Sequence, residues 1–241
     1  MSTAGHARLG IIGDVHAECA RLEAALDHLL ASGVDAILCT GDVADGKGCV
    51  ERCCALLAEA GALCVAGNHE RWILNDRVRH IPDAHRREAL GDAARAFLEA
   101  LPPVREVPTV RGPLLLCHGV GETDHRKVWP GSPRMPVERS EELDALIAED
   151  HYRFVINGHL HYRMILDFER LTLINGGTLK RTHRPGFLEL DLDLGVVTFL
   201  GFEEDLTVRE QDRHDLDDHG RRVFRDTGCF DGRWTPFPLY A

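Results

Sequence analysis

Five short blocks of the sequence carry side chains that can bind metal ions: GDVH, GDVAD, GNHE, CHG and GHLH. Carboxylate, imidazole and amide groups together suit divalent ions such as Mn²⁺, Fe²⁺, Co²⁺ or Zn²⁺. Seven such ligands fit two ions about 3.5–4 Å apart that share one carboxylate. The seven candidates are Asp14, His16, Asp42, Asn68, His118, His159 and His161, and His69 stands beside Asn68.

A purely structural explanation of these residues is weaker than a metal site. A single aspartate at a strand end, or a single buried histidine, usually satisfies a local hydrogen bond and needs no ion. Burial of this many ionisable groups together is costly unless cations compensate their charge. Five blocks in succession therefore predict a metal centre.

The segments around the first three blocks predict alternating strands and helices. RLGIIGDVH, DAILCTGD and ALCVAGNH read as buried strands, and apolar residues at helical spacing lie between them, at 22–30 and 50–60. This β-α-β-α-β order predicts parallel neighbouring strands with right-handed crossovers. The carboxyl ends of such strands share one sheet edge, where ligands usually bind. PLLLCHG and RFVINGHLH are strands that end on the remaining blocks, so we expect all five blocks to form one site.

The rest of the chain predicts further helices and a mostly antiparallel second half. Apolar residues from Leu90 to Leu101 predict a helix that two prolines end, and another helix is expected near Glu141 to Glu149. Between them lies a proline- and glycine-rich loop, about residues 119–136, whose length suggests a functional surface. RMILDF, LTLINGG, GFLELDL and VVTFLGF predict short strands separated by turns.

The chain predicts one domain over residues 1–202 and a C-terminal extension over residues 203–241. The extension is acidic as far as Asp218 and then becomes rich in aromatic residues. So many aromatic side chains are not expected to stay in water. By default we expect the extension to pack on its own domain. The alternative is packing on a second subunit, which would make the protein a homo-oligomer.

Composition and charge exclude several classes of protein. With 241 residues, 44% of them hydrophobic and 28% charged, the chain has the composition of a soluble globular protein. A net charge of −11 argues against a general nucleic-acid clamp. No apolar stretch approaches the roughly 20 residues of a membrane span, and the first residues lack the pattern of a signal peptide. We expect a cytoplasmic protein without a membrane partner, whose eight cysteines are reduced thiols.

The order of the blocks, D-x-H, G-D-x-x-D, G-N-H-E, H-G and G-H-x-H, resembles that of the calcineurin-like metallophosphoesterases. The match covers about Leu9 to Val197. The resemblance implies an α/β fold, a four-layer αββα sandwich of two mixed β-sheets flanked by helices. It also implies a division of the ligands: Asp14, His16 and His161 on the first metal, Asn68, His118 and His159 on the second, and Asp42 bridging both. His69 matches the residue held near the leaving group or the attacked phosphate.

Two metal ions and His69 together predict a mechanism for phosphoester hydrolysis. Two cations lower the pKa of a water or hydroxide between them and neutralise phosphate oxygens during in-line attack. We expect Mn²⁺, with Fe, Zn, Co or Ni as alternatives. His69 then protonates the departing oxygen or donates a hydrogen bond in the transition state, while Asp42 holds both cations. Asp45 and Glu70 either orient ligand histidines or cap a helix.

The blocks favour one branch of this family and leave alternatives open. GHLH is similar to the small stand-alone prokaryotic phosphodiesterases, so we predict a phosphodiesterase or phosphatase acting on a small phosphorylated or nucleotide-type substrate. GNHE is similar to the serine/threonine protein phosphatases and dinucleoside-polyphosphate hydrolases, but Gly46 stands where their arginine would be. A further alternative is a non-catalytic scaffold of the same fold. The acidic balance makes nucleic acid an unexpected substrate.

Basic residues that follow the blocks, or lie in the long loop, are candidates to hold the part of the substrate that is not transferred. They are Arg71, His125, Arg126, Arg163 and Arg181. The alternative for each of them is a solvated surface charge.

Overall fold

The computed structural model describes residues 5–77, 82–130, 138, 140–168, 170–217 and 222–224. The strands, in chain order, are β1 Arg8–Ile12, β2 Ala36–Cys39, β3 Leu63–Cys64, β4 Val104–Val107, β5 Leu114–Cys117, β6 Phe154–Asn157, β7 Arg163–Phe168, β8 Leu171–Gly176, β9 Gly186–Asp191, β10 Val196–Phe202, β11 Val208–Asp215 and β12 Arg222–Phe224. The helices are α1 Cys19–Ser32, α2 Val50–Glu59, α3 Asn68–Leu74, α4 Asp92–Glu99 and α5 Glu141–Glu149, with a short 3₁₀ helix at Arg87–Ala89.

The strands form two six-stranded sheets, and both sheets are mixed. The first has the order β11-β10-β9-β1-β2-β3, with β1, β2 and β3 parallel and the other pairs antiparallel. The second has the order β12-β7-β8-β6-β5-β4, in which β5, β6 and β8 are parallel. Most pairs in the second half of the chain are antiparallel, as predicted. The exception is β6 with β8, because β8 inserts between β6 and β7.

Three hydrophobic clusters show how the layers stack. The central cluster contains side chains from the inner faces of both sheets, such as Leu9 and Ile11 of β1 and Leu114 of β5. Ile12, which points to the opposite face of β1, belongs to a second cluster with α1, α2 and α4. A third cluster covers the outer face of the second sheet, where Leu143 of α5 is buried. The predicted four-layer sandwich of two mixed sheets flanked by helices is confirmed.

Several element boundaries differ from those that the sequence predicts. The helix expected between Leu90 and Leu101 is shorter, because Leu90 caps the 3₁₀ turn and only Asp92–Glu99 is α-helical. Five elements were not predicted: α3, β4, β11, β12 and the 3₁₀ helix. The helix α3 begins directly at the GNHE block, and β4 is a short edge strand whose side chains are mostly half-exposed. Neither carries the hydrophobic periodicity on which sequence analysis depends.

The C-terminal extension contributes to both sheets where the structure describes it. β11 pairs with β10 at the edge of the first sheet, and β12 pairs with β7 at the edge of the second. Residues 218–221 and 225–241, which include most of the aromatic tail, lie outside the described residues. The boundary at residue 202 and a role of the tail in a homo-oligomer stay predictions. Within the described ranges, no helix combines the length and the apolar character that a membrane crossing needs.

The packing between the sheets predicts a strong effect of a single truncation there. Leu188 of β9 is fully buried in the central cluster, so Leu188→Ala should lower the free energy of unfolding by about 3–5 kcal/mol through lost contacts and a residual cavity. Leu194, in the β9–β10 turn, is 66% exposed and provides a matched control. Urea unfolding followed by circular dichroism measures both variants. Equal losses in the two would contradict this account of the core.

Candidate metal centre

The five sequence blocks meet where the two sheets adjoin. Asp14 and Asp42 follow β1 and β2 of the first sheet, and Asn68 begins α3 after β3. His118 and His159 follow β5 and β6 of the second sheet. All of these residues except His159 are at most 1% exposed. The arrangement is the one that the strand order predicts, except that two sheets rather than one supply the edge.

One group of ligand atoms lies around Asp14. Single ligand atoms of Asp14, His16, Asp42 and His161 all lie within 4.8 Å of one another. Nε2 of His161 is 3.1 Å from Oδ2 of Asp14 and 3.0 Å from Nε2 of His16. Nδ1 of His16 is 2.9 Å from the carbonyl oxygen of Asp45, which leaves Nε2 facing the other ligands.

A second group lies on the other side of Asp42. Single ligand atoms of Asp42, His118 and His159 again lie within 4.8 Å of one another. Nε2 of His118 is 3.2 Å from Oδ2 of Asp42 and 3.1 Å from Oδ1 of Asn68, so the amide of Asn68 adjoins this group. All seven predicted ligands therefore come together, and Asp42 is common to both groups.

Burial and charge shape the protonation of these ligands. Burial acts to lower the pKa of His118, but the carboxylates of Asp42 and Asp14 outweigh it and raise that pKa to about 10. Burial acts to raise the pKa of Asp42, but the neighbouring His118 and His69 hold it well below its usual range. Burial and His118 lower the pKa of His159 to about 3. Burial also lowers the pKa of His16 well below its usual range, which favours the neutral imidazole that metal ions bind.

The backbone at the ligands is in a conformation that side chains disfavour. The φ angles of His16, Asp42, His159 and His161 are 47°, 47°, 68° and 65°, all in the left-handed region. Such residues cost about 1–3 kcal/mol each and persist where surrounding contacts fix them. Here the strained turns direct the side chains toward the junction of the sheets. The ligand geometry is therefore obtained at a cost in the stability of the folded chain.

Glu70 supplies many of the contacts that fix this backbone. Its buried carboxylate accepts hydrogen bonds from four backbone N–H groups, those of Asp42, Val43, Ala44 and Gly67, at 2.8–3.1 Å. The bond from Gly67 caps α3, and the other three hold the loop that carries Asp42. The sequence left open whether Glu70 orients a ligand histidine or caps a helix. It caps the helix and orients the loop of Asp42.

His69 lies beside both ligand groups without belonging to either. Its Nδ1 is 2.7 Å from Oδ2 of Asp45, and its Nε2 is 3.7 Å from Oδ2 of Asp42. Asp45 is itself fixed, because its other oxygen accepts the backbone N–H of His85 at 2.7 Å. Trp72 packs against the His69 ring, with centroids 4.9 Å apart. Asp45 thus orients His69, one of the two roles that the sequence allowed.

Three residues near the centre had no signal in the sequence. The carbonyl oxygen of Thr40 accepts a hydrogen bond from Nδ1 of His118 at 2.7 Å, and its hydroxyl donates to Asp14 at 3.2 Å. Nδ1 of His183 is 2.8 Å from Nδ1 of His161, and His85 holds Asp45. None of the three lies in a ligand block, so only their position in the folded chain reveals them.

The candidate substrate-binding residues have different environments. Arg71 forms a two-point ion pair with Asp124, at 2.6 and 2.9 Å, and both line a cavity of about 510 Å³ together with His125. Arg126 pairs with Glu142 at 2.9 Å. These three predicted residues stay candidates for substrate contacts.

The prediction that Arg163 contacts the substrate is wrong. Arg163 of β7 is only 1% exposed. Its guanidinium lies against β10 of the first sheet, with Cζ 5.7 Å from the centre of the Phe199 ring. It donates hydrogen bonds to the carbonyl oxygen of Leu200 and, at 2.8 Å, to Oε1 of Gln211. The side chain therefore links the sheets and cannot reach a substrate.

Comparisons with known proteins agree with this fold. The chain resembles the solved structure of hypothetical protein PH1004 from Pyrococcus horikoshii OT3, with 15% sequence identity and a TM-score of 0.62 over 85% of this chain and 87% of that chain. It resembles a metallophosphoesterase from Sphaerobacter thermophilus with 21% sequence identity and a TM-score of 0.53 over 86% of this chain and 88% of that chain. It also resembles YfcE, a phosphoesterase from E. coli, with 15% sequence identity and a TM-score of 0.52 over 87% of this chain and 99% of that chain. At these identities the likeness shows a shared fold only.

Sequence comparison identifies the family more directly. None of the curated proteins matches the chain significantly. The family profile described as the calcineurin-like phosphoesterase superfamily domain matches residues 8–194, which is well over half of the chain. This range contains every block that carries a candidate ligand. The chain therefore belongs to the calcineurin-like phosphoesterase superfamily.

Proposed function

We propose that this protein hydrolyses a phosphodiester or phosphomonoester with the help of two divalent cations. The observation that carries the proposal is the sharing of Asp42 by two groups of ligand atoms, with His69 beside them. The superfamily uses divalent metals in phosphoester hydrolysis, which supports the same chemistry here. Mn²⁺ as the metal, and action in the cytoplasm, are parts of the proposal.

The residues present fit a pair of cations. Both ligand groups consist of oxygen and nitrogen atoms, the donors that Mn²⁺, Fe²⁺, Co²⁺, Ni²⁺ and Zn²⁺ accept. The pKa of about 10 at His118 means that Asp14 and Asp42 stabilise positive charge at this position. Cations would supply that charge. One ion would be held by Asp14, His16 and His161, the other by Asn68, His118 and His159, with Asp42 between them.

The chain's own residues would orient the ester and handle the proton. Two divalent cations, when bound, lower the pKa of a water molecule and neutralise phosphate charge. Asp45 accepts the Nδ1 proton of His69 and so directs the Nε2 atom toward Asp42 and the ligand groups. From there Nε2–H can donate to a phosphate oxygen or pass its proton to the leaving oxygen. The half-buried ring of Trp72 packs against His69 and restricts the imidazole to this orientation.

Hydrolysis of two chromogenic esters tests the proposal. We expect the Mn²⁺-loaded protein to hydrolyse p-nitrophenyl phosphate, bis(p-nitrophenyl) phosphate or both. A chelator should abolish the reaction, and added Mn²⁺ should restore it. Release of p-nitrophenol is followed at 405 nm, and elemental analysis gives the metal content. A protein with two bound ions per chain that hydrolyses neither ester would refute the proposal and favour a non-catalytic scaffold.

His69 is expected to serve turnover rather than metal binding. His69→Asn should lower kcat by about 10²–10⁴-fold, because the residue that donates the proton is lost, while two ions per chain remain. His151 is a matched control. It precedes β6, at the end of the strand remote from His159, and its side chain pairs with that of Glu106. His151→Asn should leave kcat unaltered. Unchanged turnover in His69→Asn would remove His69 from the mechanism.

Asn68 is expected to serve the second ion. Asn68→Ala removes the amide oxygen that lies 3.1 Å from Nε2 of His118, so occupancy of one ion should fall while the other is retained. Isothermal titration with Mn²⁺ and elemental analysis measure the two occupancies. Asn75→Ala, the same substitution at the other end of α3, is the control. Full occupancy by two ions in Asn68→Ala would exclude Asn68 as a ligand.

A further inference from the structure

Lysine is rare in this chain and is placed selectively. Of the 28 Lys and Arg residues, only Lys47, Lys127 and Lys180 are lysines. All three lie near the candidate metal centre. Lys47 and Lys180 line one cleft with His16, and the charge of Lys127 acts on His159. Lysine differs from arginine in carrying a compact charge on a flexible stem. Lys47 and Lys180 therefore provide positive charge in the cleft beside His16.

The cleft beside His16 contains more positive than negative side chains. We call it the lysine cleft; it is lined by His16, Glu18, Lys47, Asp83, Lys180 and Arg181. The carboxylate of Glu18 is engaged by Arg181 at 2.9 Å and by Arg21 at 2.8 Å. Asp83 is the remaining acid. Neither lysine ammonium has an ion-pair partner in the part of the chain that the structure describes, so the cleft attracts anions although the whole protein is acidic.

The backbone around Lys47 is fixed against the first ligand block. A Cβ atom on Gly46 would lie 1.8 Å from the carbonyl oxygen of His16, and one on Gly48 would lie 1.9 Å from that of Ala17. Only glycine permits contacts this close. The GKG segment therefore packs directly on the loop that carries His16. Lys47 is exposed between two glycines that cannot be replaced without moving this loop.

The backbone around Lys180 is fixed by Asp14. The N–H of Leu179 and the hydroxyl of Thr178 both donate to the carbonyl oxygen of Asp14, at 2.9 and 2.7 Å. The N–H of Lys180 then donates to the Thr178 hydroxyl at 3.1 Å. The charge of Lys180 also acts on His161, one of the ligands in the same group as Asp14. Both lysines are thus held next to the first ligand group, from two different loops.

We propose that Lys47 and Lys180 bind a second phosphate group of the substrate. The substrate would then be a small molecule with two phosphates, one hydrolysed at the metal centre and the other held in the lysine cleft. This inference rests on the proposed function and adds a substrate class to it. The lysines are suited to this role because two flexible ammonium groups can adapt to a phosphate whose distance from the reacting ester is set by the substrate.

Kinetics with matched nucleotides test the inference. Adenosine 3′,5′-bisphosphate is compared with adenosine 5′-monophosphate and 3′-monophosphate on the Mn²⁺-loaded protein. In the double variant Lys47→Gln/Lys180→Gln, we expect the ratio of kcat/KM for the bisphosphate to that for the monophosphates to fall about tenfold, mainly through KM. Arg170→Gln removes one exposed charge at the far end of β8 and should leave the ratio unaltered. Equal losses for all three nucleotides would overturn the inference.

A binding measurement keeps the inference testable apart from turnover. Calorimetric titration of Mn²⁺-loaded His69→Asn should give about tenfold tighter binding of the bisphosphate than of the monophosphates, and the lysine substitutions should abolish the difference. This result can stand even if the wild-type protein hydrolyses no ester, an outcome that would refute the proposed function alone. Equal affinities for all three nucleotides would overturn the inference. So would a single-stranded oligonucleotide that binds through the two lysines more tightly than the bisphosphate, because the cleft would then serve nucleic acid.

Discussion

The burial of negative charge where the two sheets adjoin is the constraint on which the site depends. Asp14, Asp42 and Glu70 are each at most 1% exposed. A buried carboxylate is tolerated only when hydrogen bonds or positive charge satisfy it. Glu70 is satisfied by four backbone N–H groups, whereas Asp42 receives one N–H from His69 and otherwise faces imidazoles. The two carboxylates therefore have different roles: Glu70 fixes the backbone, and Asp42 remains available to cations.

Much of the site could be predicted because its ligands follow strand ends. Asp14, Asp42 and His118 each lie within three residues of the end of a short apolar strand, and the order of strands and helices sets which ends meet. His159 and His161 lie two residues apart after β6 and belong to different groups of ligand atoms, which is the division that the resemblance implies. The alternating strand and helix pattern also predicted the parallel strands β1, β2 and β3, whereas the four layers were implied by the resemblance to the metallophosphoesterases.

The parts that could not be predicted depend on contacts between distant residues. Arg163 follows the GHLH block closely and has the chemistry of a phosphate ligand, yet it is buried. The reason is the space left by glycines on neighbouring segments: a Cβ on Gly186 would lie 2.3 Å from the Arg163 guanidinium, and one on Gly177 would lie 2.5 Å from its Cγ. His85 and His183 likewise reach the centre from loops without any pattern of their own. Such residues are defined only once the chain has folded.

The division of ligands between the two sheets has a consequence for stability. Asp42 follows a strand of the first sheet and His118 a strand of the second, with their ligand atoms 3.2 Å apart. An ion coordinated by both would join the two sheets of the sandwich. An ion that binds only the folded chain raises the free energy of unfolding in proportion to the logarithm of the ion concentration, once that concentration is well above Kd. The persistence of the folded protein in a cell would then follow the local supply of metal, independently of any demand for catalysis.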